Sequence, residues 1–170
     1  VTGATLKLTD LVLDGNGNIS GDSLVSAASG RIEINSGAEL RNCHGNSGSL
    51  GSALSVTGSA ALSMNYGRVS GNRSEGKGAV YFNSSGRFDV LNDVMIEDNT
   101  TPSGAKANVY LETGRTITVT GDLNASRIGV TTAQQPAASP GGISTEAGQE
   151  IKIATPLAGS GVDTSPSPFA

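Results

Sequence analysis

Short alternating runs recur along the chain. Leu6-Lys7-Leu8, Ile32-Glu33-Ile34, Leu62-Ser63-Met64, Phe88-Asp89-Val90 and Ile117-Thr118-Val119 each set a polar residue between two apolar ones, at steps of 26, 30, 26 and 29 residues. A period of two is the signature of a strand with one buried face. Soon after the triplets comes an apolar residue, two spacers and Asn: Leu13…Asn16, Val69…Asn72 and Ile96…Asn99. The second repeat has Cys43 at that place, with Asn42 just before it. A second series of runs comprises Leu54-Ser55-Val56, Val80-Tyr81-Phe82 and Val109-Tyr110-Leu111, opened less regularly by Leu24-Val25-Ser26. Small residues such as Ser52-Ala53 and Gly78-Ala79 lead into it. No window holds a helical period with caps, because Gly, Ser, Thr and Asn interrupt all of them.

Three strand-like runs in each period predict one coil of a parallel β-solenoid, with successive coils about 4.8 Å apart. The expected fold is all-β: a single-stranded β-helix of about five coils over residues 1–123, three short strands per coil. Its inward stacks are Leu6/Ile32/Leu62/Phe88/Ile117, Leu8/Ile34/Met64/Val90/Val119 and Leu54/Val80/Val109. Asn16, Asn72 and Asn99 are expected to take left-handed turn conformations and to bond amide to amide between coils. Length varies mainly after these asparagines, where loops can bulge outward. Past Gly121 the pattern changes. Residues 124–158 read as a loop and terminal capping strand, the loop at Thr131–Gly148, rich in Ala, Gln, Pro and Ser, and the strand at Glu150–Ala154. Residues 159–170 read as a Pro/Ser linker or tail.

Gly78-Ala79-Val80, and more loosely Ser52-Ala53-Leu54, resemble the GGA[ILV] motif of polymorphic outer-membrane protein repeats. Val69-Ser-Gly-Asn72 and Ile96-Glu-Asp-Asn99 resemble the partner FxxN motif, with an aliphatic residue in place of Phe. Similar repeats occur in bacterial adhesin-like surface proteins. The resemblance covers roughly residues 5–123. It implies a right-handed, pectin-lyase-like parallel β-helix on the bacterial cell surface, extracellular, serving as adhesin or stalk.

Composition narrows the function classes. The net charge of -4 argues against a phosphate-backbone binder, and no apolar stretch is long enough to insert into a membrane. A single cysteine, Cys43, excludes an intrachain disulfide, and neither it nor the neighbouring His44 can make a metal site alone. The chain begins at Val1 with no signal peptide in view, so it reads as a segment of something longer.

Because many right-handed β-helices degrade polysaccharides, catalysis needs a test. Glu33 and Asp89 share the outward middle position of the first strand, two coils or roughly 10 Å apart, with Ser63 between them. That is slightly beyond an inverting pair, and a Lys7–Glu33 cross-coil pair on a solvated face explains Glu33 more simply. The expectation is no enzyme and no cofactor; the alternative is a polysaccharide-binding or polysaccharide-degrading β-helix. Asp14-Gly-Asn16-Gly-Asn18 with Asp22 resembles the start of a calcium loop, but Ile19 and Val25 stand where Gly and Glu belong, so no metal is assigned. Five N-x-[ST] matches, at Asn18, Asn72, Asn83, Asn99 and Asn124, are common in so Ser- and Thr-rich a chain. The candidate binding surface is Tyr81 and Tyr110, whose apolar neighbours force both rings outward in adjacent coils. Asn83 and Glu112 on the same face would supply hydrogen bonds to a glycan or a surface-protein partner. Tyr66 and Met95, near turns, would extend it.

Overall fold

The computed structural model describes residues 3–17, 19–48, 50–123, 125–132 and 150–154, none of them helical. The first coil runs β1 (Thr5–Leu8), β2 (Val12–Asp14), β3 (Ile19–Ser20) and β4 (Val25–Ala27). The second runs β5 (Arg31–Ile34), β6 (Glu39–Arg41), β7 (His44–Gly45) and β8 (Leu54–Gly58), and the third β9 (Ala61–Asn65), β10 (Arg68–Ser70), β11 (Arg73–Ser74) and β12 (Val80–Ser84). The fourth has β13 (Phe88–Leu91), β14 (Met95–Glu97) and β15 (Val109–Leu111); β16 (Ile117–Val119) and β17 (Arg127–Thr132) begin a fifth, and β18 (Glu150–Ala154) follows. The protein is thus a β-solenoid of four full turns and part of another.

Its triplets stack into one parallel sheet, β1-β5-β9-β13-β16. Leu6 pairs with Ile32, Ile32 with Leu62, Leu62 with Phe88 and Phe88 with Ile117, and the Leu8 column follows in step. This is the register that the sequence period predicts. Ile32, Ile34, Leu62, Met64, Phe88 and Val90 are buried, and Phe88 packs against Phe82 of the preceding strand with ring centroids 5.3 Å apart. Leu6 and Val119, expected inside, are exposed, because each ends its column with no described coil beyond it.

The other two columns of each coil form one large sheet, in which β17 lies across both β14 and β15 and joins them. Two-residue strands β3, β7 and β11 add a third, narrow sheet at the corner after the Asn position. They are too short to show alternation, so each of the first three coils has a fourth strand that the sequence pattern does not predict. In the first coil Val25, not Leu24, pairs with Leu54. Leu24 takes the corner column that Ala53 and Ala79 fill in the next coils. It is tolerated there because it sits in the first described coil. The coils run past residue 123: β17, in the stretch read as loop and capping strand, pairs in parallel with β14 and β15, because Ile128 and Val130 continue their apolar columns. β18 runs antiparallel to β17 and covers that edge of the last coil; residues 124, 133–149 and 155–170 lie outside the described residues.

An asparagine ladder lines the corner. The Asn99 side-chain amide donates to the Val69 and Glu97 backbone carbonyls and to Asn108 Oδ1, at 2.9 Å each. Its Oδ1 accepts from the Asn72 backbone N–H at 3.0 Å and the Asn72 amide at 2.9 Å. Asn72 Oδ1 in turn accepts from the Cys43 backbone N–H at 3.0 Å. The left-handed residue is one place earlier than expected: Asn42, Gly71 and Asp98 have φ of 52°, 65° and 55°. Asn16 is left-handed too, with φ 52°, but stands exposed outside the ladder. The reason is local: the turn between Asp14 and Ile19 is two residues longer than its counterpart between Arg41 and His44. Asn108 joins the ladder from the far side of a loop, in the column that Ala79 occupies one coil earlier.

Glycine is required where coils crowd at positive φ. Gly58 has φ +57°, and a Cβ there would collide with the Ala28 carbonyl oxygen of the previous coil. Gly58→Ala should therefore destabilise the protein by about 1–3 kcal/mol, read as a lower urea midpoint at unchanged slope.

Candidate functional site

The Tyr81 and Tyr110 columns are in register, Tyr81 on Tyr110, between inward-facing Val80, Phe82, Val109 and Leu111. The rings lie 6.2 Å apart, tilted by 47°. They are not the open platform that alternation alone suggests. Tyr81 is only 7% exposed. The cause is Lys77, whose side chain comes from the corner loop and folds across both rings: its ammonium is 4.3 Å from the Tyr110 centroid and 5.7 Å from that of Tyr81. Glu112 closes the cluster, accepting from Lys77 at 2.8 Å and from the Tyr81 hydroxyl at 3.1 Å with the same oxygen. Asn83, half-buried, lies on the same face two residues beyond Tyr81, and its amide is a further neighbour of that hydroxyl.

These contacts shift the ionisations. The Lys77 ammonium holds the Glu112 carboxyl below the ordinary glutamate range, assisted by the Tyr81 hydroxyl and opposed by burial. Glu112 raises Lys77 against the opposing effect of burial. Burial raises Tyr81, with Glu112 adding to the effect and Asn83 offsetting part of it. The lowered carboxyl stabilises the fold above its unfolded range, near pH 4.3, and that contribution is lost as pH falls through the folded value. Raised Lys77 and Tyr81 stabilise below their unfolded ranges, near pH 10, and are lost as pH rises through the folded ones. The urea midpoint should therefore be flat between about pH 5 and 10 as far as this cluster governs it. Lys77→Ala should lower the plateau and shrink both limbs.

A second polar arrangement escapes strand-by-strand reading. On the outer face of β2, β6, β10, β14 and β17, charges of alternating sign connect coil to coil. Arg41 pairs with Asp14 at 2.9 Å and Glu39 at 3.4 Å. Arg68 lies 3.9 Å from Glu39 and 3.5 Å from Glu97, and Arg127 reaches Glu97 at 3.3 Å. The series spans five coils. Its signal in the sequence is a pair of columns flanking Leu40, Val69, Ile96 and Ile128, visible only once those strands are aligned.

The remaining candidates divide as follows. Glu33 and Asp89 both pair with Ser63 in the register and so stand two coils apart. Each carboxylate is bound by the arginine two residues before it, Glu33 by Arg31 and Asp89 by Arg87, both at 2.9 Å. Arg31 thus takes the place expected of Lys7. The Asp14 carboxylate receives the Asn16 backbone N–H at 2.8 Å, Arg41, and the Asn42 amide at 3.0 and 3.1 Å, donors that hold its pKa down in that order of effect. Those contacts direct it at the next coil rather than into a loop of oxygen ligands; Asn18 lies outside the described residues. Among the described residues no three His, Cys, Asp or Glu side chains gather to hold a metal ion. Cys43 is buried, and burial pushes its thiol up. Asn72 and Asn99 are buried with their amides in the ladder, which closes both N-x-[ST] matches to modification. Tyr66 is exposed at a turn; Met95, half-buried, lies in β14, away from the tyrosine pair.

No protein-family model, no curated protein and no solved structure matches the chain. The family resemblance therefore rests on the quoted motifs.

Proposed function

We propose that the chain is a non-enzymatic module of a secreted or cell-wall-attached bacterial surface protein, a stiff stalk that carries loops for adhesion. The supporting observation is that its polar side chains are spent along the stacking axis. The alternating charges from Asp14 to Arg127 tie each coil to the next, and the Asn72 and Asn99 amides join the second, third and fourth. Exposed ion pairs add little singly, but a network along a quasi-one-dimensional stack resists bending and shear. The longer connections, residues 42–53, 71–79 and 98–108, all leave the corner between the two columns of the large sheet. A rod with its loops on one edge suits presentation to a partner, and the adhesin-like motifs point the same way. The partner class is a glycan or a host or bacterial surface protein; nucleic acid and membrane insertion are not part of this reading.

The competing reading is a polysaccharide-degrading β-helix of the pectin-lyase type. A screen of glycans and host surface proteins, run beside polysaccharide-degradation assays, tests the two. The stalk reading expects retention of a glycan or protein without turnover. Turnover that disappears in Glu33→Gln or Asp89→Asn would replace it.

A further inference from the structure

The Lys77 contacts describe more than a brace. Two tyrosine rings 6.2 Å apart, with a carboxylate beside them, are the components of a cation site: faces of negative quadrupole and an acceptor for N–H donors. The occupant at rest is the protein's own ammonium, 4.3 Å from the Tyr110 ring and 2.8 Å from Glu112. We propose that Tyr81, Tyr110 and Glu112 form a binding site for a primary alkylammonium group, held closed by Lys77 as an internal competitor. The proposal concerns this cluster alone and stands whether or not the chain is a surface stalk.

Three observations carry it. First, exchange needs little movement. The backbone on either side of Lys77 is closely packed: a Cβ on Gly76 would strike the Gly48 backbone, and Gly78, at φ +72°, lies against Asn108. Only the lysine side chain has to swing. It is 26% exposed, so the exit into solvent is open. Second, what remains after it leaves stays assembled. Tyr81 keeps its hydrogen bond to Glu112, and both tyrosines are fixed by strand register. Third, the acceptor selects the ligand. Glu112 Oε1 takes an N–H from the bound ammonium at 2.8 Å, which a primary amine can supply and a quaternary one cannot. A tethered side chain competes at an effective concentration in the millimolar range or above. A free amine therefore binds the wild-type protein poorly, and a ligand that touches the neighbouring surface as well is needed to displace Lys77.

The probe is n-butylammonium chloride, against sodium chloride at matched ionic strength. The chain has three tyrosines, so their ring resonances can be assigned. In Lys77→Ala, butylammonium should shift the Tyr110 and Tyr81 rings saturably in the millimolar range, at least tenfold tighter than in wild type, with Tyr66 unmoved. Tetramethylammonium should bind several-fold more weakly. Should Lys77→Ala be marginally folded, the amine provides its own readout: about 100 mM should raise its melting temperature by roughly 2–4 °C, and should not do so in Lys77→Ala/Tyr110→Ser. Absence of a saturable shift, an equal effect in the Tyr110→Ser background, or tighter binding of tetramethylammonium would overturn the proposal.

Discussion

Asn99→Ala should lower stability by about 3–5 kcal/mol, while Asn16→Ala should cost only about 1 kcal/mol, the strain of Ala at its left-handed φ of 52°. The two residues occupy the same place in the sequence repeat and differ in what they satisfy. Asn99 is 1% exposed. Its removal takes the acceptor from the buried Asn72 backbone N–H and a donor from the Val69 and Glu97 carbonyls; the Asn72 amide keeps the Leu40 and Ser70 carbonyls, and Asn108 Oδ1 keeps the residue 99 backbone N–H. Each buried polar group left unpaired costs about 1–3 kcal/mol, of which part is recovered by relaxation. Asn99→Asp tests the same point with less change of shape: it keeps the acceptor for Asn72 but loses the donors, and it should also be strongly destabilising. Asn16 donates its backbone N–H to Asp14 in an exposed turn, and Ala keeps that N–H. Urea denaturation with the slope held fixed reads both values. Equal losses at the two positions would show that the ladder is not the stabilising element.

Phe88→Ala should cost about 3–5 kcal/mol. Phe88 is fully buried, stacked between Leu62 and Ile117 in its column and against Phe82 across the core. A solenoid one coil wide cannot easily collapse around the resulting cavity, because each neighbouring residue is held by parallel hydrogen bonds to coils above and below. Phe88→Leu, which refills most of the volume, should recover more than half of the loss. Equivalent truncation at the end of the same column, Leu6→Ala, should cost well under 1 kcal/mol, since Leu6 is already 46% exposed. A gradient from the middle of the stack to its end is the expectation; a uniform cost along the column would argue against stacking as the source of stability.

The contrast between these residues shows what a sequence of this kind discloses. A two-residue period repeated in five triplets specifies a buried column, because a slip of one residue would turn Ile32, Leu62 and Phe88 to solvent together. The pairing of Leu62 with Phe88 was legible for that reason. Val25 against Leu54 was not, since a single run at the end of the series carries no neighbour to set its register. Asn16 reads like Asn72 by spacing, yet spacing along the chain does not count the two extra residues that lift its turn off the corner. Asn108 completes the ladder but follows a loop that breaks the period, so no repeat announces it. The tyrosine pair shows the limit most clearly. Alternation gives the direction of Tyr81 and Tyr110 but not what covers them. Lys77 lies in a loop, four residues before Tyr81; its equivalent Lys106 stands four before Tyr110, and that repeated offset is the only trace of it in the sequence. The charge series from Asp14 to Arg127 escapes for a related reason: apart from Glu39 and Arg41 on one strand, its partners are one coil apart, so no local window shows the series.

The central claim, that outward residues one period apart are direct neighbours in a parallel stack, can be tested by cross-linking across coils. Cysteines placed at Glu33 and Ser63, which pair in register, come within the Cα separation that a disulfide accepts, about 4.4–6.8 Å. Cysteines at Glu33 and Asp89, two coils or about 9.6 Å apart, do not. The native Cys43 is buried and stays out of the exchange. Mild oxidation of the two double variants, followed by mass spectrometry of the unreduced digests, should give an intramolecular link in Glu33→Cys/Ser63→Cys and none in Glu33→Cys/Asp89→Cys. A link between positions 33 and 89, with none between 33 and 63, would contradict the stacked-coil account.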